Sequence, residues 1–592
     1  MQEAEVVLSV LRERGRKGLP LTQLYRQMFN KELYLLAYGN IYPNQGAMTP
    51  GASTETADGM SEEKIDQITG LMRRERYRFA PARRVYIPKK NGKLRPLGLP
   101  SWSDKLVGEV VRLLLEAYYE PGFSERSHGF RKKHGCHTAL REIRETWTGT
   151  TWFIEGDISD CFGSLDQDIL IGILAEKIHD QRFLRLIRNM LKAGYLEDWE
   201  YHETLSGSPQ GGVVSPILSN IYLDKLDKYV EQELIPHYTR GAHRRSNPEY
   251  GRIETQLRKA RRHGNRAAAR DLGKQMRTLP YGDPMDPGYR RLRYLRYADD
   301  HILGFTGPRA EAEEIKTKLA AFLRETLGLE LNQEKTLITR ARSKPARFLG
   351  YNITVQHSNA KHFRGQRTVN GKVALRVPQD VVKAQCARYR QHGKPWPRRK
   401  LQNLHDYDIV RIYGAEYRGT VNYYLLAQDV WRLEILKWNA LTSMLKTLAS
   451  KHHSTVTKMA ARYRARTDTN DGPRTCFEAR KQSQGGKKEM VARFGGIPLR
   501  QDRRAVIHDP APILPAYPRK ELISRLRKRE CELCETGATV AVHQIAGLNE
   551  LGQPGPGQPA WATLMAKMRR KTLVVCAACH EWIHANPVAH AA

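Results

Sequence analysis

Leu295-Arg296-Tyr297-Ala298-Asp299-Asp300-His301-Ile302-Leu303-Gly304-Phe305 reads as two short apolar strands with a pair of acids at the turn between them. Adjacent carboxylates repel, so the pair serves stability poorly and divalent cations well. A third acid, Asp157, lies near the end of the strand-like run Thr151–Ile158, after Trp152-Phe153-Ile154. Three such carboxylates are what two-metal nucleotidyl transfer needs. One Mg²⁺ acidifies a primer 3′-hydroxyl; the other holds a triphosphate and neutralises the departing pyrophosphate. An Asp-Asp turn alone is weak evidence, so the order of the surrounding elements has to carry the reading.

Upstream, Arg84-Val85-Tyr86-Ile87-Pro88 is interrupted by Asn91-Gly92, the commonest tight-hairpin signal. A helical pattern runs from Asp104 to Glu120, and Phe348–Ile353 closes an α/β region of alternating strands and helices. Between His237 and Arg291 the chain changes character. Ile253 to Arg277 is helical and dense in Arg and Lys, which reads as a basic insertion; a charge run of this kind is either a solvated face or an RNA contact. From about 360 to 470 the pattern is helical. Ile435, Trp438, Leu441, Leu445 and Leu448 recur at steps of three and four and predict a buried face. Residues 471–525 are polar and basic, with Pro510, Pro512, Pro515 and Pro518 marking a linker.

Lys and Arg number 98 and Asp and Glu 63 in 592 residues, a net charge of +35, which calls for a polyanionic partner. No run approaches the roughly 18 apolar residues of a membrane span, so no membrane contact is expected. Of eight cysteines, four form two CxxC pairs near the end, Cys531/Cys534 and Cys576/Cys579. That spacing suits a tetrahedral Cys₄ zinc site in a reducing cytoplasm better than a disulfide framework. His580 and His584, four apart on a predicted helix, share a face.

With these elements in order, the chain resembles the reverse transcriptases. Ile87-Pro88-Lys89-Lys90-Asn91-Gly92-Lys93-Leu94-Arg95 is similar to their fingers hairpin. Ser206-Gly207-Ser208-Pro209-Gln210-Gly211-Gly212 is similar to their template- and nucleotide-contacting loop. The resemblance implies Asp157, Asp299 and Asp300 as catalytic Mg²⁺ ligands. It also implies nucleotide contacts from Lys89, Arg95, Ile158, Gln210 and Phe162, the last as a gate against a ribose 2′-hydroxyl. Asn44-Gln45-Gly46-Ala47-Met48-Thr49-Pro50-Gly51, Ser124-Glu125-Arg126-Ser127-His128-Gly129-Phe130-Arg131 and Tyr417-Arg418-Gly419-Thr420-Val421-Asn422-Tyr423-Tyr424 narrow the resemblance to bacterial group II intron-encoded proteins.

That resemblance implies a multidomain α/β fold: amino-terminal extension 1–83, right-hand fingers and palm 84–355 with the basic insertion at 237–291, an α-helical thumb (maturase) domain 356–470, a basic DNA-binding region and linker 471–525, and a zinc-bearing HNH-like ββα module 526–592. It implies intron RNA, target DNA and deoxynucleoside triphosphates as partners in a cytoplasmic, nucleoid-associated ribonucleoprotein, with Lys446, Lys451, His452, Lys458 and Arg462 offering phosphate contacts in the thumb. Arg503, Arg504 and the cluster Arg525/Arg527/Lys528/Arg529 suit DNA phosphates. In the tail, His543, His580 and His584 would hold a second divalent ion beside the zinc. Gln544 stands where the family has its general-base histidine, and a neutral amide takes up no proton; target nicking is therefore in question. A splicing-only maturase and a host-recruited reverse transcriptase are the alternatives.

Overall fold

The computed structural model describes the chain except residues 1–2, 89–91, 93, 198–199, 203–211, 285, 333, 359, 364–365, 470–471, 483–488, 508–517, 553–557 and 589–592, with backbone alone for 45, 362–363, 366–367 and 518–520. Lys89 and Gln210 thus lie outside the described residues.

The acid-bearing stretch forms the middle of a five-stranded sheet. Its order is Ile338–Arg340, Trp152–Asp157, Asp300–Thr306, Arg291–Tyr297 and Ser127–His128, antiparallel except for the last pairing. Period-two alternation divides its side chains between two cores. Ile154, Leu292, Tyr294, Leu303 and Phe305 face a core shared with Trp102–Tyr119, Ser215–Tyr229 and Arg309–Leu327, whereas Phe153, Leu295 and Ile302 join the helix Cys136–Thr146 and the later part of the chain. The two strands of the expected hairpin pair, Ala82–Pro88 with Leu94–Leu99, and Tyr195–Glu197 and Glu200–His202 extend them to a sheet of four.

The basic insertion is two helices, Pro248–Arg262 and Arg266–Thr278, where the sequence suggests one. Gly264 adopts φ +69° after the first helix, and the Asn265 side chain caps the second by accepting the Ala268 N–H at 3.0 Å. This Gly-Asn pair is a stop and a start that charge density masks.

The helix Glu434–Lys451 corrects the expected buried stripe. Leu445 and Leu448 are buried, but Ile435 and Trp438 are 50% and 55% exposed. The inward face instead carries Leu436, Asn439, Ala440, Ser443, Met444 and Thr447. Its polar members are satisfied: the Tyr413 hydroxyl shares hydrogen bonds with Ser443 at 2.9 Å and Thr447 at 3.0 Å, and Asn439 accepts from Arg390 at 2.5 Å. Hydrophobic periodicity does not register a core face lined by paired polar groups. The basic stretch after it is not linker throughout. Arg464–Thr469, Gly472–Gln482 and Glu489–Gly495 form an antiparallel sheet against the helix Asp406–Tyr424, so close that a Cβ on Gly414 would lie 2.3 Å from the Arg493 carbonyl.

The tail is a hairpin of Val540–Gln544 and Thr572–Cys576 followed by the helix Ala577–Ala585. Far from standing alone, it adds a strand from the chain's beginning: Met60–Ser61 pairs with it, Met60 opposite Val542. Leu522, Leu526, Val540, Val542 and Val574 belong to the same core as Ala57, Met60 and the helix Lys31–Ile41.

Candidate active site and tail metal centres

Antiparallel register sets Asp157 opposite Asp300, and Asp299 lies in the turn. The turn is held from below. Ala298 adopts φ +54° and donates its N–H to the His128 carbonyl at 2.9 Å. Arg296, wholly buried, donates to the Ala298 carbonyl at 2.7 Å, to Asp227 at 2.8 and 2.6 Å and to Ser127 at 2.7 Å. Sequence reasoning missed this buried ion pair; its one signal is that Arg296 falls in register with Leu292 and Tyr294, on the apolar face of its strand. Gly129 lies against the turn, where a Cβ would approach the Ala298 nitrogen to 2.7 Å.

Crowding these acids has the expected electrical consequence. Burial, then Asp299 and Asp157, raise the Asp300 carboxyl to about 7; burial and Asp157 also raise Asp299, against the opposing charges of Arg95 and Lys335. The Lys335 ammonium sits 2.7 Å from Asp157 and is raised by that contact. It stands where a cation is demanded, on a loop that donates the Asn332 N–H to the Asp157 carbonyl at 2.8 Å. Lys335 too was missed, its signal being Asn332-Gln333-Glu334-Lys335-Thr336 after a long helix.

The remaining polymerase candidates divide. Arg95 is exposed on the hairpin. Phe162 is half-buried and meets Phe130 edge-on at 6.3 Å between centroids. The Ile158 side chain is buried in the core, so any nucleotide contact from this position belongs to its main chain.

In the tail the four cysteines come together with all ligand atoms within 4.8 Å, Cys534 and Cys576 Sγ being 3.8 Å apart. The Cys534 thiol is drawn down to about 6 by hydrogen bonds from Thr536. The three histidines converge as expected, with an unexpected fourth member, Asp58, from the amino-terminal extension. Its carboxylate lies 2.8 Å from His584 Nε2, 3.3 Å from His580 Nε2 and 3.2 Å from His543 Nδ1, and accepts the Gln544 N–H at 2.7 Å. Burial works to raise its pKa, but the imidazoles and this N–H outweigh it and hold the carboxyl far below the usual range. The Gln544 side chain turns away from the cluster and donates to the Tyr42 carbonyl at 2.9 Å.

Residues 87–353 match the family Reverse transcriptase (RNA-dependent DNA polymerase), 379–501 Type II intron maturase, and 531–580 AI2M/AI1M-like HNH endonuclease. Over 95% of its length and 95% of the relative's, the chain is 38% identical to group II intron-encoded protein LtrA of Lactococcus lactis subsp. cremoris. The chain belongs to the group II intron-encoded proteins. It is an RNA-directed DNA polymerase and intron maturase with an HNH endonuclease domain. Two fungal relatives matched over a comparable share of this chain are the 91 kDa protein in the cob intron of Schizosaccharomyces pombe and the COX1/OXI3 intron 1 protein of Saccharomyces cerevisiae. The first is 32% identical over 95% of this chain and 70% of its own, the second 31% over 94% and 68%. Among the described residues no helix of this group II protein is long and apolar enough to cross a membrane.

Two groups of basic residues expected to meet nucleic acid are otherwise engaged. Lys446 donates to the Pro395 carbonyl, and Lys451 and His452 bond Asp406, leaving Lys458 and Arg462 exposed. Arg527 pairs with Glu32 and Arg529 with Glu62, which fastens the tail to the amino-terminal extension, while Arg525 pairs with Glu532 within the tail itself.

Proposed function

We propose that this protein binds its own intron RNA, promotes its splicing, and copies it into DNA from a 3′ end at a target site. The observation carrying the reading is the triad Asp157, Asp299 and Asp300, with the pair's protonation raised first by burial and then by neighbouring carboxylates, and Lys335 drawn in as a counter-charge. Such a donor set fits two Mg²⁺, which when bound supply an acidified primer hydroxyl and charge neutralisation at the leaving pyrophosphate. The chain's own residues set the geometry. Arg296 and Asp227 hold the turn, and Arg95 on the fingers is the described residue that would meet the triphosphate; the contacts assigned by resemblance to Lys89 and Gln210 fall outside the described residues. Phe162, braced by Phe130, excludes the 2′-hydroxyl. On this reading the domains follow the sequence expectation except that the thumb extends past 470, because the sheet of Arg464–Thr469, Gly472–Gln482 and Glu489–Gly495 packs on its helix Asp406–Tyr424.

RNA binding falls to a thumb surface where Trp431, Ile435 and Trp438 are exposed at helical spacing near the charges of Arg432 and Lys437. Aromatic rings and cations together suit unpaired, splayed bases. The Cys₄ cluster fits zinc: at about 2.3 Å per bond a tetrahedron has edges near 3.8 Å, the Cys534–Cys576 spacing. His543, His580 and His584 would hold the nuclease ion. Strand scission is slow on this reading, because position 544 offers no base. A histidine placed there would point at Tyr42 and give no rescue by itself. The working compartment is the bacterial cytoplasm, in a ribonucleoprotein with the intron.

Primer extension on intron RNA decides between polymerase and splicing cofactor. Wild type extends and Asp299→Asn does not; a wild type that splices its intron without extending any primer overturns the polymerase reading. Nicking of a target duplex by the wild type at the rate of an efficient nuclease would overturn slow scission.

A further inference from the structure

A metal site in the tail is finished by a residue from the other end of the chain. We propose that Asp58 is the fourth ligand of the ion held by His543, His580 and His584, so that the nuclease centre exists only while the tail is docked on the amino-terminal extension. The inference rests on reading the three histidines as ion ligands.

Placement comes first. The pairing of Met60 with Val542 continues outward so that Asp58 falls beside Gln544, whose N–H it accepts at 2.7 Å. Gly59, at φ +75°, turns the chain into the strand and donates its N–H to the Val542 carbonyl at 2.9 Å. The carboxylate is thereby fixed by backbone on both sides and aimed at the imidazoles, not left to a flexible side chain.

Spacing comes second. With metal–ligand bonds of about 2.1 Å, a tetrahedron has edges near 3.4 Å. Asp58 already stands 2.8, 3.3 and 3.2 Å from the three imidazoles, and all four ligand atoms lie within 4.8 Å of one another. An ion entering the cluster closes it with sub-ångström to ångström adjustments.

Satisfaction comes third. His543 is 5% exposed, and neither of its ring nitrogens has a hydrogen-bond partner among the described residues; the approach of Nδ1 to Asp58 is off the hydrogen-bonding line. A buried polar side chain left so is a cost that a simple structural carboxylate fails to remove. Its ring centroid lies 5.7 Å from that of His580 and 5.4 Å from that of His584, facing the same point.

The docking contacts supply the consequence. Arg527 with Glu32, Arg529 with Glu62, the Gln544 amide on Tyr42 and the shared apolar core hold the extension and the tail together. Displacing the tail would remove one carboxylate from the ion and weaken the centre without touching the histidines.

The test counts Mn²⁺ bound to the zinc-loaded full-length chain by electron paramagnetic resonance. The chain carries Asp299→Asn and Asp300→Asn so that the polymerase carboxylates do not compete. The expected result is one bound Mn²⁺, weakened at least about tenfold by Asp58→Asn and by His584→Ala, and largely retained by Asp58→Glu. A structural role predicts the reverse order, because Asn keeps the size and the acceptor for the Gln544 N–H whereas Glu, one methylene longer, displaces that acceptor while keeping a carboxylate for the ion. Asn binding Mn²⁺ as well as wild type while His584→Ala loses it overturns the Asp58 assignment alone. Absence of Mn²⁺ binding by the unsubstituted tail overturns the histidine reading with it.

Discussion

Replacing Arg296 by Met tests whether the catalytic turn is held by a buried charge pair. The guanidinium is wholly buried, bonds Asp227 twice, and supplies the Ala298 carbonyl with a donor at 2.7 Å. Its removal leaves Asp227 buried with the Tyr294 hydroxyl at 2.8 Å as its remaining partner in this group. An uncompensated buried charge of this kind costs about 3–5 kcal/mol. Removing both charges, as Arg296→Met with Asp227→Leu, should return stability to within about 1–2 kcal/mol of wild type, because an apolar pair of similar volume needs no desolvation. Activity should not follow. The turn that carries Asp299 and Asp300 has lost its brace in both variants, and a displacement of order 1 Å lowers the rate roughly a hundredfold. Urea denaturation reads the first quantity; single-turnover extension of an oligo(dT) primer on poly(rA) reads the second. A single variant that loses under about 1 kcal/mol, or a double variant that extends at the wild-type rate, would refute the bracing argument.

Gly156→Ala should abolish extension, since its Cβ would stand 2.0 Å from the buried His301 ring; adding His301→Ala should restore much of it. Trp431→Ala with Trp438→Ala should weaken intron RNA binding at least tenfold with an unchanged salt slope, whereas Lys458→Gln and Arg462→Gln should each lower the slope by about one, as filter binding at several salt concentrations would show. Asp406→Asn should remove an acid-sensitive part of thumb stability. Burial raises the Asp406 carboxyl, but Tyr463, Lys451 and His452 hold it down to about 2. A depressed carboxylate contributes fully above its unfolded value near 4 and loses that contribution as pH falls toward 2. Discounted for solvent exposure, the difference is about 1 kcal/mol, checked by denaturation at pH 7 and pH 3.

Much of this protein is written in local pattern. Period-two strands around Asp157 and Asp299-Asp300, the Asn-Gly hairpin, the CxxC pairs and the His580/His584 spacing are short-range signals, and each reports an element that its own residues stabilise. The order of those elements was enough to give the family. What tertiary structure alone decided are partnerships across long separations. Arg296, on a strand, needs Asp227 from the helix Ser215–Tyr229, Asp157 receives Lys335, the polar face of Glu434–Lys451 is buried because Tyr413 and Arg390 satisfy it, and Asp58 meets histidines from the far end of the chain. Local propensity is a property of neighbours in sequence, but the pairing of buried charges and the closing of a metal site depend on which surfaces the hydrophobic cores bring together. Hence the acids of Tyr297-Ala298-Asp299-Asp300 were legible from the chain, and what braces and neutralises them was not.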